Sequence, residues 1–304
     1  MSAFTAFGPA TLSNLGPGFD ALGLCITGLG DRVTATRTDA PGVTVDAPGL
    51  PTEPEKNTAS RAALWVLRAA GASGGLALAI DKGIPLGSGV GGSSASAVAG
   101  AWAANLALGR PLEKIDLVGA VLAGEAAAGA AHGDNVLPAL FGGLVVVSPS
   151  DPTDYHRIDL PDAPPLAVVL PDVTVLTRAA RAALPASVPH GDASAQAAEL
   201  AFLLRAVLAG DWAEAGRRMM RDRLAEPFRA PLVPVYDTVK QAALDAGAAG
   251  CALSGSGPAL VAVCPDSDAG AVLSAMTTAS RSAGVGAHGW LATVDPVGVR
   301  EGVR

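Results

Sequence analysis

The chain has 304 residues and a formal charge of −7, so it lacks the basic excess that a nucleic-acid or anionic-membrane partner requires. Half of its residues are hydrophobic but only 4% are aromatic, which predicts a core filled by Ala, Val and Leu, divided between two domains. Three cysteines, Cys25, Cys251 and Cys264, sit in apolar surroundings and form no disulfide or metal spacing. With no basic-apolar leader and no long uncharged apolar run, the expectation is a soluble cytoplasmic protein with no membrane span.

In chain order, Pro9 to Asp20 brings Asn14 and Asp20 to the two ends of a Gly-Pro-Gly turn, ahead of an apolar strand over 21–26. Short alternating runs follow over 32–47, then a Pro-rich loop, then a helix capped by Asn57 or Thr58 and ending near Ala70. A strand over 76–80 leads into Pro85, Leu86, Gly87, Ser88, Gly89, Val90, Gly91, Gly92, Ser93, Ser94, Ala95 and Ser96, and an Ala-rich helix continues to Leu108. Strand, glycine loop and helix N-terminus together suit an anionic phosphate chain, because glycines admit close backbone approach and the helix start offers unpaired N–H donors. The loop alone does not identify the ligand. The dinucleotide pattern is met only weakly, and a Walker A loop would need Lys where Ser93 stands.

A helix expected over 113–131 places Ile115, Val118 and Leu122 on one stripe, with Glu125 on its continuation. A carboxylate on a core-facing stripe needs either a salt bridge or a hard divalent cation. A Pro- and Asp-rich joint follows, with a domain boundary expected near Asp162. Beyond it, Thr177 and Arg181 are four apart on a helical face, Glu226 and Arg229 flank a Pro-Phe pair, and Gly255, Ser256 and Gly257 form a second glycine-serine turn after a strand. A last strand, helix and strand, over 260–264, 269–283 and 287–294, complete an α+β pattern.

The segment 85–96 resembles the phosphate loop of the GHMP small-molecule kinases, with Gly92 in place of the family's first Ser. Residues 9–20, 132–143, 177–181 and 226–234 further resemble the substrate motifs of the homoserine-kinase family, with Leu12 and Ser13 departing from its usual Ser-Ala. The resemblance implies a two-domain GHMP kinase fold: residues 1–162 like ribosomal protein S5 domain 2, with a left-handed βαβ crossover, and residues 163–304 ferredoxin-like. It implies transfer of the γ-phosphoryl group of ATP to L-homoserine, a step towards threonine, with Mg²⁺ held by Ser93 and Glu125. The loop 85–96, the turn 255–257 and Asn57 would contact ATP, although Asn57 serves equally as a helix cap. Asn14, Asp20 and Asn135 would position the amino acid, Arg181 and Arg229 would bind its carboxylate, and Thr177 would be a further substrate contact. For Arg229 the alternative is a surface pair with Glu226. Asp20, Asn135, Ser93 and Glu125 are thus the expected catalytic set, and a homodimer is what the family suggests. Another GHMP-type kinase, or a sensor without turnover, remains the alternative.

Overall fold

A computed structural model describes residues 2–302. The first half runs β1 (Ala3–Ser13), β2 (Leu22–Thr38), β3 (Gly42–Asp46), α1 (Thr58–Ala69), β4 (Gly75–Asp81), α2 (Gly92–Ala107), α3 (Val118–Glu125), α4 (Gly133–Phe141), β5 (Leu144–Val147) and β6 (Tyr155–Ile158). The second half runs β7 (Leu166–Pro171), α5 (Thr177–Ala182), α6 (His190–Leu208), α7 (Trp212–Met219), α8 (Glu226–Arg229), α9 (Tyr236–Asp245), β8 (Gly250–Leu253), β9 (Leu260–Val263), α10 (Ala269–Ser282), β10 (Ala287–Ala292) and β11 (Arg300–Glu301).

Two sheets carry this order. The first is β11-β1-β2-β4-β3, with β5 joined to the start of β2 and β6 to β5. Among the described residues only β3 and β4 pair in parallel, and α1 makes the crossover between them. The second sheet, β10-β7-β9-β8, is antiparallel throughout, and with α10 between β9 and β10 it has the ferredoxin-like order. The chain passes from one sheet to the other between Ile158 and Leu166, and β11 returns to pair with β1 at Ala6 and Phe7.

The alanine-rich composition sets the packing. One core lies under α1 to α4, where Ala59, Ala62, Ala63, Ala97, Ala101 and Ala104 are fully buried. At Gly100 a Cβ would collide with the Ala59 backbone, so α2 and α1 touch at main-chain distance there. A second core, with Leu12, Leu22 and Ile26 from the first sheet and Val168 and Val261 from the second, joins the two halves. A third packs Val239, Val272 and Met276 against the outer face of β7 to β10.

Three expectations need correction. The single helix over 113–131 is instead a 3-10 turn at Ile115–Leu117, α3, and a 3-10 turn at Ala126–Ala128, stopped where Gly129 takes φ +124. Ile115 therefore leaves the core-facing stripe and is 60% exposed, while Glu125 stays buried at the end of α3. The runs over 21–26 and 32–38 belong to one 17-residue strand, whose ladder with β1 is interrupted over 26–29 and resumes at Gly30. Pro9 to Ser13 are the end of β1, with an irregularity between Pro9 and Thr11, and the turn between Asn14 and Asp20 follows it.

Candidate active site

A cavity of about 370 Å³ opens between the two halves. Its floor is the loop 85–92, in which Gly87, Gly89 and Gly91 all have positive φ. Gly91 caps α2 in the left-handed conformation, and no side chain caps this helix, so its first-turn N–H groups are left for a ligand. A Cβ at Gly91 would run into the Thr11 hydroxyl, which fixes glycine here. The turn after β8 packs on the same loop: Ser254 Oγ donates to the Gly89 carbonyl at 2.7 Å and Ala259 N to the Ser88 carbonyl at 3.2 Å.

At the start of α2 the Ser93 hydroxyl donates to Glu125 Oε1 at 2.8 Å. Glu125 is 2% exposed and its Oε2 has no hydrogen-bond partner. Burial raises its pKa to about 7, against the opposing pull of the Ser93 hydroxyl and the Lys82 ammonium. A buried carboxylate with one unpartnered oxygen beside a hydroxyl suits a hard divalent cation that takes its other ligands from phosphate and water. Among the described residues no cluster of three or more His, Cys, Asp or Glu side chains could hold a metal alone. Beneath the loop, Lys82 pairs with the fully buried Asp31.

The opposite end of the cavity carries charges of both signs. Asp20 and Arg181 form a two-pronged ion pair, at 2.7 and 3.2 Å. Asp20 takes φ +56, held by its N–H on Asn14 Oδ1 at 3.2 Å, while Asn14 Nδ2 reaches the Gly255 carbonyl at 3.3 Å. Arg229 is 5% exposed and donates to the same carbonyl at 2.8 Å, leaving its Nε without a partner. Both guanidinium groups lie on the Phe19 ring, 5.3 Å away for Arg181 and 5.0 Å for Arg229. Burial and the nearby Arg181 charge push the Arg229 pKa down. Glu226 is not its partner: that buried carboxylate is taken by Tyr236, Lys240 and the Leu253 N–H.

Between the two ends stands Asn135, whose Oδ1 accepts from Thr11 at 2.9 Å and whose Nδ2 donates to Asp134 at 3.3 Å. Asp134 is buried, and its pKa is raised to about 7 by burial, then by the neighbouring charges of Asp20 and Glu125. Such a carboxylate favours the native state when protonated. That margin is present below the ordinary carboxylate range and is lost as pH rises through about 7. Asp134→Asn, which removes the charge, should therefore gain thermal stability relative to the unmodified protein between pH 5 and pH 8. Melting temperatures of both at the two pH values check this, and a constant difference contradicts it.

Of the residues singled out from sequence, Asn14, Asp20, Asn57, Pro85, Leu86, Gly87, Ser88, Gly89, Gly91, Gly92, Ser93, Ser96, Glu125, Asn135, Thr177, Arg181, Arg229, Gly255 and Ser256 line this one cavity. Val90, Ser94 and Gly257 stand outside the lining. The Val90 and Ser94 side chains are fully buried, and Gly257 turns the chain behind Gly89. Asn57 caps α1 through the Ser60 N–H and donates to the Pro51 carbonyl, so its amide is already engaged at both ends. Ser96 faces Asp31 at 2.6 Å. Lys82, His132 and Asp134 line the cavity without being among the expected site residues. Asp134 was legible as the one acid beside Asn135, whereas Lys82 at the end of β4 offered no signal until Asp31 was seen opposite it.

The family model for the N-terminal domain of GHMP kinases matches residues 57–143, and that for the GHMP kinase C-terminal domain matches residues 203–281. Homoserine kinase from Pyrococcus furiosus is 39% identical over 95% of this chain and 97% of its own length. The one from Arabidopsis thaliana is 42% identical over 88% of this chain and 75% of its own. A crystal structure of homoserine kinase from Cytophaga hutchinsonii matches with a TM-score of 0.94 at 37% identity, covering 99% of this chain and 98% of that one. A mevalonate kinase from L. major, 19% identical with a TM-score of 0.72, shares the fold. Two domain matches in order, and relatives close to 40% identical along most of both chains, place this protein in the homoserine kinase family of the GHMP kinases.

Proposed function

We propose that this cavity transfers the γ-phosphoryl group of ATP to the side-chain hydroxyl of L-homoserine. The observation that carries the reading is the pairing, in one cavity, of an uncapped helix start with glycine loop at one end and an Asp20, Arg181 and Arg229 constellation at the other. The first suits a phosphate chain, and the second suits an α-amino acid, with Asp20 for the ammonium and planar guanidinium forks for the carboxylate.

In the transfer, a bond forms from the acceptor oxygen to the γ-phosphorus while the bond to the bridging oxygen of ADP breaks, and the acceptor hydroxyl gives its proton to the Asp134 carboxylate, which lines the cavity beside Asn135. The loose transition state needs alignment and charge neutralisation more than a strong base. Loop N–H groups over 87–93 hold the phosphates. Asn135, fixed by Thr11, orients the hydroxyl, and Asp134 beside it sits near its own pKa at neutral pH, where it exchanges a proton readily. Ser93 and Glu125 would hold Mg²⁺, which when bound neutralises phosphate charge.

Release of ADP in a coupled assay with L-homoserine, homoserinol and mevalonate tests the reading. L-homoserine should be preferred by orders of magnitude, and equal rates with homoserinol would refute the amino-acid assignment. Ser93→Ala should lower turnover or ATP affinity in a way that excess Mg²⁺ partly restores. If instead it unfolds the protein, Ser93 is a structural residue only.

A further inference from the structure

We propose that Asp31 and Lys82 form a clip that fixes the aperture of the glycine loop, which makes them positioning residues for nucleotide binding. The inference rests on reading that loop as the phosphate cradle. Residues 85–91 leave the sheet after β4 and re-enter the fold at α2, so the shape of the loop depends on how its two ends are held. One carboxylate holds both. Asp31, fully buried on β2, accepts from the Ile84 N–H at 3.1 Å, immediately before the loop, and from the Ser96 hydroxyl at 2.6 Å, just after it. Lys82, ion-paired with Asp31, donates to the Gly92 carbonyl at 2.8 Å and to Ser96 Oγ at 3.2 Å.

Donor counting separates positioning from direct phosphate binding. Lys82 reaches the cavity wall, with its side chain 17% exposed. An ammonium has three N–H donors, and all three are used, on Asp31, Gly92 and Ser96. None is left for a phosphate oxygen. Both oxygens of Asp31 are likewise engaged, Oδ1 by Ile84 and Oδ2 by Lys82 and Ser96. A buried ion pair is a weak source of stability, because well-packed apolar side chains serve as well or better. What this pair supplies is geometry. The loop it spans has glycines in the left-handed region at three alternate positions, a backbone with unusual freedom, and such a loop binds tightly only if its order is set before the ligand arrives.

The test measures the dissociation constant of ADP with Mg²⁺ by calorimetry and the KM for homoserine at saturating ATP. The variants are Lys82→Met, Ser96→Ala and the double replacement Asp31→Leu with Lys82→Met, which removes both charges together and leaves neither buried alone. ADP binding should weaken by about tenfold or more in the two variants that remove Lys82, and by about threefold in Ser96→Ala, because a cradle displaced by a fraction of an ångström loses its aligned donors. The homoserine KM should stay within about twofold of its starting value, since the acceptor end shares no partner with the clip. ADP affinity within about twofold of the unmodified protein in the double variant, or an equal loss for both substrates, overturns the clip. Ser96→Ala deletes a single hydroxyl and keeps the ion pair, so unchanged ADP affinity there overturns it even if the other two fail to fold. Failure of the unmodified protein to bind ADP is a separate result, and it refutes the nucleotide reading itself.

Discussion

Glu125→Gln should lower turnover by about 10²-fold or more while leaving the fold intact, because the amide keeps the shape of the carboxylate and removes only its charge. The position makes the substitution informative. Glu125 is buried at the end of α3, with one oxygen on Ser93 and the other without a protein partner, so the charge has no structural ion pair to lose. If the unpartnered oxygen serves a divalent cation, the loss appears in turnover and shifts the Mg²⁺ dependence. Burial, by contrast, makes the neutral amide easier to accommodate than the ionised acid, and thermal stability near pH 8 should hold or improve. Turnover equal to that of the unmodified enzyme at limiting Mg²⁺ would remove Glu125 from the metal site.

Arg229→Leu should raise the KM for homoserine by roughly 30-fold to several thousand-fold, the equivalent of about 2 to 5 kcal/mol for one partner of a desolvated charge pair, with ATP binding little changed. The guanidinium is buried against Phe19, anchored by one N–H on the Gly255 carbonyl, and its Nε has no acceptor in the protein. An exposed pair with Glu226 would have been worth at most about 1 kcal/mol, and the engagement of Glu226 by Tyr236, Lys240 and Leu253 removes that account. Homoserinol, which lacks the carboxylate, provides the control. Its affinity should be low with either enzyme and nearly indifferent to the substitution. Equal weakening of both ligands, or of neither, would mean that no carboxylate clamp exists.

The parts of the site that follow from local chain chemistry were legible in the sequence. The stretch from Leu76 to Ser96 specifies a strand by its apolar alternation, then a glycine loop and a helix start by its φ preferences, and Asn57 is visible as a cap because its amide acts within three residues. Thr177 and Arg181 share a helical face by spacing, and α5 carries both. What sequence could not supply is pairing across long separations. Asp31 and Lys82 are 51 residues apart and Asp20 and Arg181 are 161 apart, and neither pairing is visible until the fold brings the partners together. The extent of the helix around Glu125 was misjudged for a related reason. Its alanines favour continuation, but Gly129 at φ +124 ends it.

The return of β11 to the first sheet bears on how the two halves could be separated. Residues 293–301 are stitched to the N-terminal half by a bridge from Ile26 to Val294, by the Asp295 N–H on the Cys25 carbonyl, by Arg157 and Lys114 on the Pro296 and Val297 carbonyls, and by the pairing of Phe7 with Arg300. A fragment cut at Asp162 would lose all of these and leave part of β1 as an open sheet edge, which invites self-association. The joint near residue 162 is thus a crossing point of the chain rather than a place to divide it, and expression of either half alone should give material prone to aggregate until the other is supplied in trans.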